Sequence, residues 1–116
     1  MVSVIFRSNL WAVKSEVNQA IQRALEICGG KAESYAKKLC PVDTGNLRNS
    51  ITHAQYDDRT EAIGTNVEYA PYVELGHAKP GGGHVAAKPY LRPAVENHAA
   101  EYKKIITTEL SKVGNP

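Results

Sequence analysis

The sequence predicts an α+β domain in which two long helices cover one face of a small antiparallel sheet, and three observations lead there. Apolar residues step by three and four between Leu10 and Leu39, and again from Leu91 to Val113. Between these tracts, residues 47–66 are short, partly β-branched runs around a polar turn. Two helices separated by a hairpin, without a repeating βαβ pattern, belong to the α+β class. At 116 residues the chain is long enough for one core and too short for two ordinary domains.

The first helix is expected over 10–39, its apolar face formed by Val13, Val17, Ile21, Ala24, Leu25, Cys28, Ala32, Tyr35, Ala36 and Leu39. Gly29-Gly30 predicts a kink or break, since two glycines cost on the order of 2 kcal/mol relative to alanines in a helix interior. Pro41 stops the helix by disfavouring helical geometry at the residue before it. Cys28 and Cys40 lie about 18 Å apart along such a helix, at a rise of about 1.5 Å per residue. They therefore cannot bridge each other or share a metal, and are expected as reduced packing thiols.

Next comes CPVDTGNLRNSI, with the Asp43-Thr44-Gly45 tripeptide that carries the catalytic carboxylate in aspartic proteases. Such an enzyme needs two carboxylates sharing one proton, so one tripeptide per chain would demand a dimer of a nearly all-β protein. The helical tracts on both sides conflict with that. The structural alternative is a turn: Asp43 or Thr44 accepts a backbone N–H, and Gly45 tolerates the conformation that swings the chain from helix into sheet.

SITHAQY and EAIGTN flank Asp57-Asp58-Arg59-Thr60 and predict a hairpin over 47–66. VEYAPYVELG, residues 67–76, is compatible with an edge strand or a short helical turn over 67–75 begun by Pro71, and the turn is preferred. Residues 76–89, GHAKPGGGHVAAKP, are rich in glycine and proline and have no acidic residue, which predicts a mobile basic loop. Arg92-Pro93 then opens a helix over 91–113, which Gly114-Asn115-Pro116 ends.

The charge balance, 14 Lys+Arg against 12 Asp+Glu, is too even for whole-domain binding to nucleic acid, so any electrostatic role is local. No stretch approaches a membrane span or a signal peptide, and the chain is expected in the cytoplasm and away from membranes. His77 and His84 are too loosely spaced for zinc and lack a third ligand; His53 and His98 have no nucleophile signature nearby. No metal, cofactor or catalytic residue is therefore expected. Lys79 and Lys88, with His77, His84 and Arg92, give the loop a local positive charge that suits phosphates or an acidic partner as well as plain solvent. Tyr69, Tyr72 and Tyr90 are expected in the core or at an interface between subunits rather than as a base-stacking platform.

Three segments in order carry a family resemblance: PVDTGNLRNSI, then VEYAPYVELG, then KPYLRPAVENH, following one amphipathic helix and opening another. They resemble the hallmark segments of the neck and tail-completion proteins of long-tailed bacteriophages, typified by gene ten of phage HK-ninety-seven. The matching positions are Asp43, Thr44, Gly45, Leu47 and Arg48 in the first, Tyr69, Ala70, Tyr72, Val73, Glu74 and Gly76 in the second, and Pro89, Tyr90, Leu91, Arg92 and Pro93 in the third. His77 departs from the pattern, since the family often has Thr after the glycine.

The resemblance implies a non-enzymatic component of the virion, assembled in the host cytoplasm. It would form a ring of its own copies at the head-to-tail joint around the DNA channel, touching head-closure or connector proteins and tail-terminator or tail-tube proteins. On this reading the three segments supply packing and interface residues, Glu74 pairs with Arg92, and His77, Lys79, His84 and Lys88 form a loop that reaches DNA or a neighbour. The competing expectation is a small DNA-binding accessory module that uses the same loop.

Overall fold

A computed structural model describes residues 2–7, 15–41 and 45–113. The architecture is α+β, as the sequence predicts. In chain order the elements are β1 (Val2–Arg7), α1 (Ser15–Leu39), α2 (Gly45–Ser50), β2 (Thr52–Asp57), β3 (Thr60–Thr65), α3 (Ala70–Leu75), β4 (His77–Ala78), β5 (His84–Val85), α4 (Leu91–Glu96) and α5 (Ala99–Ser111).

Helix α1 buries Ala20, Ile21, Ala24, Leu25, Cys28, Ala32 and Ala36, a stripe at steps of three and four. Leu39, expected on that face, is instead 47% exposed at the last turn. The helix continues through Gly29-Gly30, where the sequence predicts a kink. Packing explains the glycine at 29. A Cβ there would stand 2.8 Å from Glu61 Cγ and 2.8 Å from His53 Cδ2, so the missing side chain lets the helix axis approach the sheet. At Gly30 the nearest atom is 3.9 Å away and no such requirement exists.

The hairpin β2–β3 forms around the expected turn, in which Asp57 Oδ1 accepts the Arg59 N–H at 2.9 Å. Residues 47–50, expected as part of the hairpin, are helical and belong to α2. The sheet has a third strand that periodicity does not reveal: β1 runs antiparallel to β3, with Val4 opposite Ile63, giving the order β1-β3-β2. Opposite residues share a face, so His53 and Ile63 lie together, and Glu61 and Thr65 follow at period two on the same strand face. Helix α1 packs over β2 and β3.

The helix expected over 91–113 is two helices. Asn97 closes α4 with its N–H on Pro93 C=O at 2.9 Å, and α5 begins after His98. The Tyr102 hydroxyl donates to Ala94 C=O at 2.5 Å across the bend. Helix α5 lies along α1, where the Tyr35 and His98 rings stack at 3.6 Å. Beside them, Glu101 accepts from the Tyr35 hydroxyl at 2.7 Å and pairs with Lys31 at 3.4 Å, and towards the other end of α5 Glu109 pairs with Arg23 at 3.6 Å. The core between these layers contains Cys28, Leu47, Ile51, Ile63, Ala70, Tyr90 and Leu91. Both cysteines are buried thiols outside any disulfide. Among the described residues no helix is long and apolar enough to cross a membrane.

Candidate functional site

The aromatic tract 67–76 contains one short helix, α3, with two faces. Pro71 sits in the first turn of α3, where its missing N–H costs nothing. Ala70 and Glu74 point inward, at 0% and 8% exposure, whereas Tyr69, Tyr72 and Leu75, spaced by three, are exposed at 38%, 56% and 70%. An apolar, partly aromatic stripe is thereby presented outward from a helix whose other face is locked into the core.

What locks it is Glu74. Its Oε1 accepts the backbone N–H groups of Tyr90 and Leu91 at 3.0 and 2.9 Å, and its Oε2 accepts that of Arg92 at 3.3 Å. These donors open α4 and have no partner within it, so a carboxylate from α3 caps them. The expected Glu74–Arg92 pair thus takes a different form: Glu74 meets the Arg92 backbone, and the guanidinium turns outward to Glu96 at 3.6 Å. A buried carboxylate is better satisfied by several fixed amides than by one long exposed side chain.

Gly76 then turns the chain at φ 75°, a conformation that favours glycine, and an added Cβ would stand 2.6 Å from Val85 C=O. The loop at 76–89, expected as a mobile basic loop, contains a small hairpin with His77 opposite Val85 and Ala78 opposite His84. Its tip is made by Gly81, Gly82 and Gly83, all at positive φ, with Lys79 N–H on Gly83 C=O at 3.0 Å. The Lys88 N–H returns to Val73 C=O at 2.8 Å. Between α3 and this hairpin lies a groove of about 600 Å³ whose lining includes Pro41, Tyr69, Tyr72, Val73, Val85 and Lys88. The His77 ring meets Tyr72 edge-on at 5.6 Å, and Lys79, His84 and Lys88 are exposed on the arm.

The three tyrosines grouped by sequence part company here. Tyr90 is fully buried, and burial pushes its phenol pKa well above the ordinary value, so it belongs with Leu91 in the core. Pro89 and Arg92 are exposed and Pro93 is half-buried at the entry of α4. In the first segment Leu47 is buried and Arg48 exposed on α2, which Gly45 opens; Asp43 and Thr44 lie outside the described residues. Ser50 anchors this helix by donating to Leu47 C=O at 2.6 Å and by contact with the Thr65 hydroxyl.

Sequence reasoning missed a second polar cluster, between α1 and the sheet. Glu26, Glu33, His53 and Glu61 converge beside Gly29, with His53 Nε2 3.0 Å from Glu26 Oε1 and Nδ1 3.0 Å from Glu33 Oε1. Burial pulls the His53 pKa down, but the hydrogen bonds and charges of Glu26 and Glu33 outweigh it and leave the pKa raised. Burial, reinforced by Glu26, raises that of Glu61. The available signal was the period-two set Glu61, Ile63, Thr65, which places a carboxylate on the buried face of a strand.

The family described as "Bacteriophage HK97-gp10, putative tail-component" matches residues 6–76. This span takes in the first two of the three hallmark segments, and residues 89–94 lie beyond it. No curated protein and no solved structure matches the chain. The matched span exceeds half the chain, and the protein belongs to the HK97 gp10-like family of bacteriophage tail components.

Proposed function

We propose that this structural tail component acts in the neck or in tail completion. Its copies close into a ring at the head–tail junction around the DNA channel, contacting head-closure or connector proteins on one side and tail-terminator or tail-tube proteins on the other. It performs no catalysis, is assembled in the host bacterial cytoplasm and remains in the virion. The observation that carries this reading is the outward stripe Tyr69, Tyr72 and Leu75 beside the groove, held on a helix that Glu74 fastens to the core. Exposed tyrosine and leucine on a rigid support suit a subunit contact, because little ordering entropy remains to be lost on association. The arm contributes Lys79 and Lys88; repeated around a ring, two cations per subunit make a concentrated positive field for passing DNA.

Light scattering across a concentration series, followed by negative-stain imaging, tests the proposal on the purified protein alone and mixed with its neighbouring neck proteins. A discrete ring that is lost in the Tyr72→Ala/Leu75→Ala variant supports it. A monomer under both conditions, or a ring indifferent to that variant, overturns it. Steeply salt-dependent binding of short DNA by the monomer would favour the accessory DNA-binding module instead.

A further inference from the structure

Glu26 on α1, His53 on β2 and Glu61 on β3 each offer one ligand atom, and the three atoms lie within 4.8 Å of one another. Glu61 is 1% exposed, and its Oε2 has no hydrogen-bond partner among the described residues. A buried carboxylate oxygen without a partner is costly, so its environment calls for a cationic occupant or a proton. The imidazole sits in the same acidic setting: its Nε2 lies 3.0 Å from Glu26 Oε1 and its Nδ1 3.0 Å from Glu33 Oε1, so either a second ring proton or a bound cation separates Nε2 from Glu26. Lys37 is engaged with Glu33 at 3.2 Å and does not take that place.

We propose that Glu26, His53 and Glu61 bind a divalent transition-metal cation of the Zn2+ class, with Glu33 orienting the imidazole and water completing the coordination. One nitrogen and two carboxylate oxygens suit Zn2+, Co2+ or Mn2+ better than Ca2+ or Mg2+, which take all-oxygen sets. Bonds of about 2.0–2.2 Å require ligand atoms about 4 Å apart or closer. Glu26 Oε1 already stands 3.0 Å from His53 Nε2, so the remaining contraction is towards the Glu61 carboxylate, and the Glu26 side chain, 68% exposed, is free to follow it. A carboxylate on the second ring nitrogen is the usual support of a metal-bound histidine. No spacing in the sequence announces the set, because its members come from three elements. Bound metal would fasten α1 to β2 and β3 at the point where Gly29 lets them meet.

The test is a calorimetric titration of the full chain, stripped with EDTA, with Zn2+, accompanied by the absorption spectrum of the Co2+ form. One equivalent per chain with micromolar or tighter affinity is expected, together with a melting temperature that rises with Zn2+ concentration. Glu61→Gln and the surface variant Glu26→Gln should each weaken binding at least about tenfold, and Glu33→Gln about 10–100-fold. Glu26→Gln should melt as the parent does in EDTA, so that lost binding is not lost folding. The proposal is overturned if uptake is not saturable, if Glu26→Gln and Glu61→Gln leave it unchanged, or if His77→Gln/His84→Gln abolishes it. A thiolate charge-transfer band in the Co2+ spectrum would assign the metal to the cysteines and overturn it equally.

Discussion

Glu74 and Leu91 are joined by a 2.9 Å hydrogen bond from a backbone N–H to a carboxylate, and that bond ties the exposed helix α3 to the start of α4. Glu74→Ala removes the acceptor for three amides at once, two of them in buried bonds, and should lower stability by about 2–3 kcal/mol. Arg92→Ala touches only an exposed pair with Glu96 and should cost under about 1 kcal/mol. Urea denaturation of the two variants compares them. Equal losses would mean that the arginine side chain, and not the cap, holds this corner.

The two central glycines of α1 should respond with opposite signs. Gly29→Ala forces a Cβ against Glu61 and His53 and should destabilise by about 1–3 kcal/mol, as overpacking does. Gly30→Ala makes only an ordinary van der Waals contact with the His53 ring and should stabilise by up to about 1 kcal/mol through helix propensity. Thermal melting of both would expose an error if Gly29→Ala proved the more stable.

Acid should loosen the contact between α1 and α5. The hydrogen bond from Tyr35, aided by Lys31, lowers the Glu101 pKa, and the bond from Lys112, aided by Arg23, lowers that of Glu109. Groups with depressed folded pKa values stabilise the fold above the ordinary carboxylate value of 4.5, and this contribution is lost as pH falls through the folded values. The melting temperature should therefore drop below about pH 4.5, and more shallowly in Glu101→Gln/Glu109→Gln. An unchanged slope in the double variant would show that other carboxylates govern acid unfolding.

Cys28 should be inert in the folded protein. Burial pushes its thiol pKa up to about 11, and its Sγ rests 3.7 Å from Tyr102 C=O. Reaction with a thiol reagent at neutral pH should then wait for unfolding, with both cysteines labelling together in denaturant. Fast labelling of Cys28 without denaturant would contradict the packing of α1 on α5.

The long helix and the hairpin were legible because each buries one face against a contiguous layer, so period 3.6 and the Asp57 turn appear directly in the residues. Strand β1 was not, since its partner Ile63 is distant in sequence and nothing local records the pairing. The split at Asn97-His98 was hidden for the opposite reason: Val95, Ala99 and Tyr102 keep helical spacing across the bend. Gly29 shows tertiary contact overriding propensity. At the candidate interface, the spacing of Tyr69, Tyr72 and Leu75 was visible, but the inward role of Glu74 was not, because its partners are backbone amides that carry no side-chain signature.

The arm at 77–88 is closed at its base by adjacent residues: Val73 C=O holds Lys88 N–H, and Glu74 holds the three amides that begin at Tyr90. Lengthening the arm beyond that clasp costs the fold little, because loop-closure entropy grows by only about 0.6 kcal/mol for each doubling of length. The glycine tip is accordingly an insertion point. A peptide tag or fluorophore placed between Gly81 and Gly82 would report on the arm's surroundings while the domain beneath it kept its fold, and related chains could exchange whole arms to suit different neighbours without redesigning the rest.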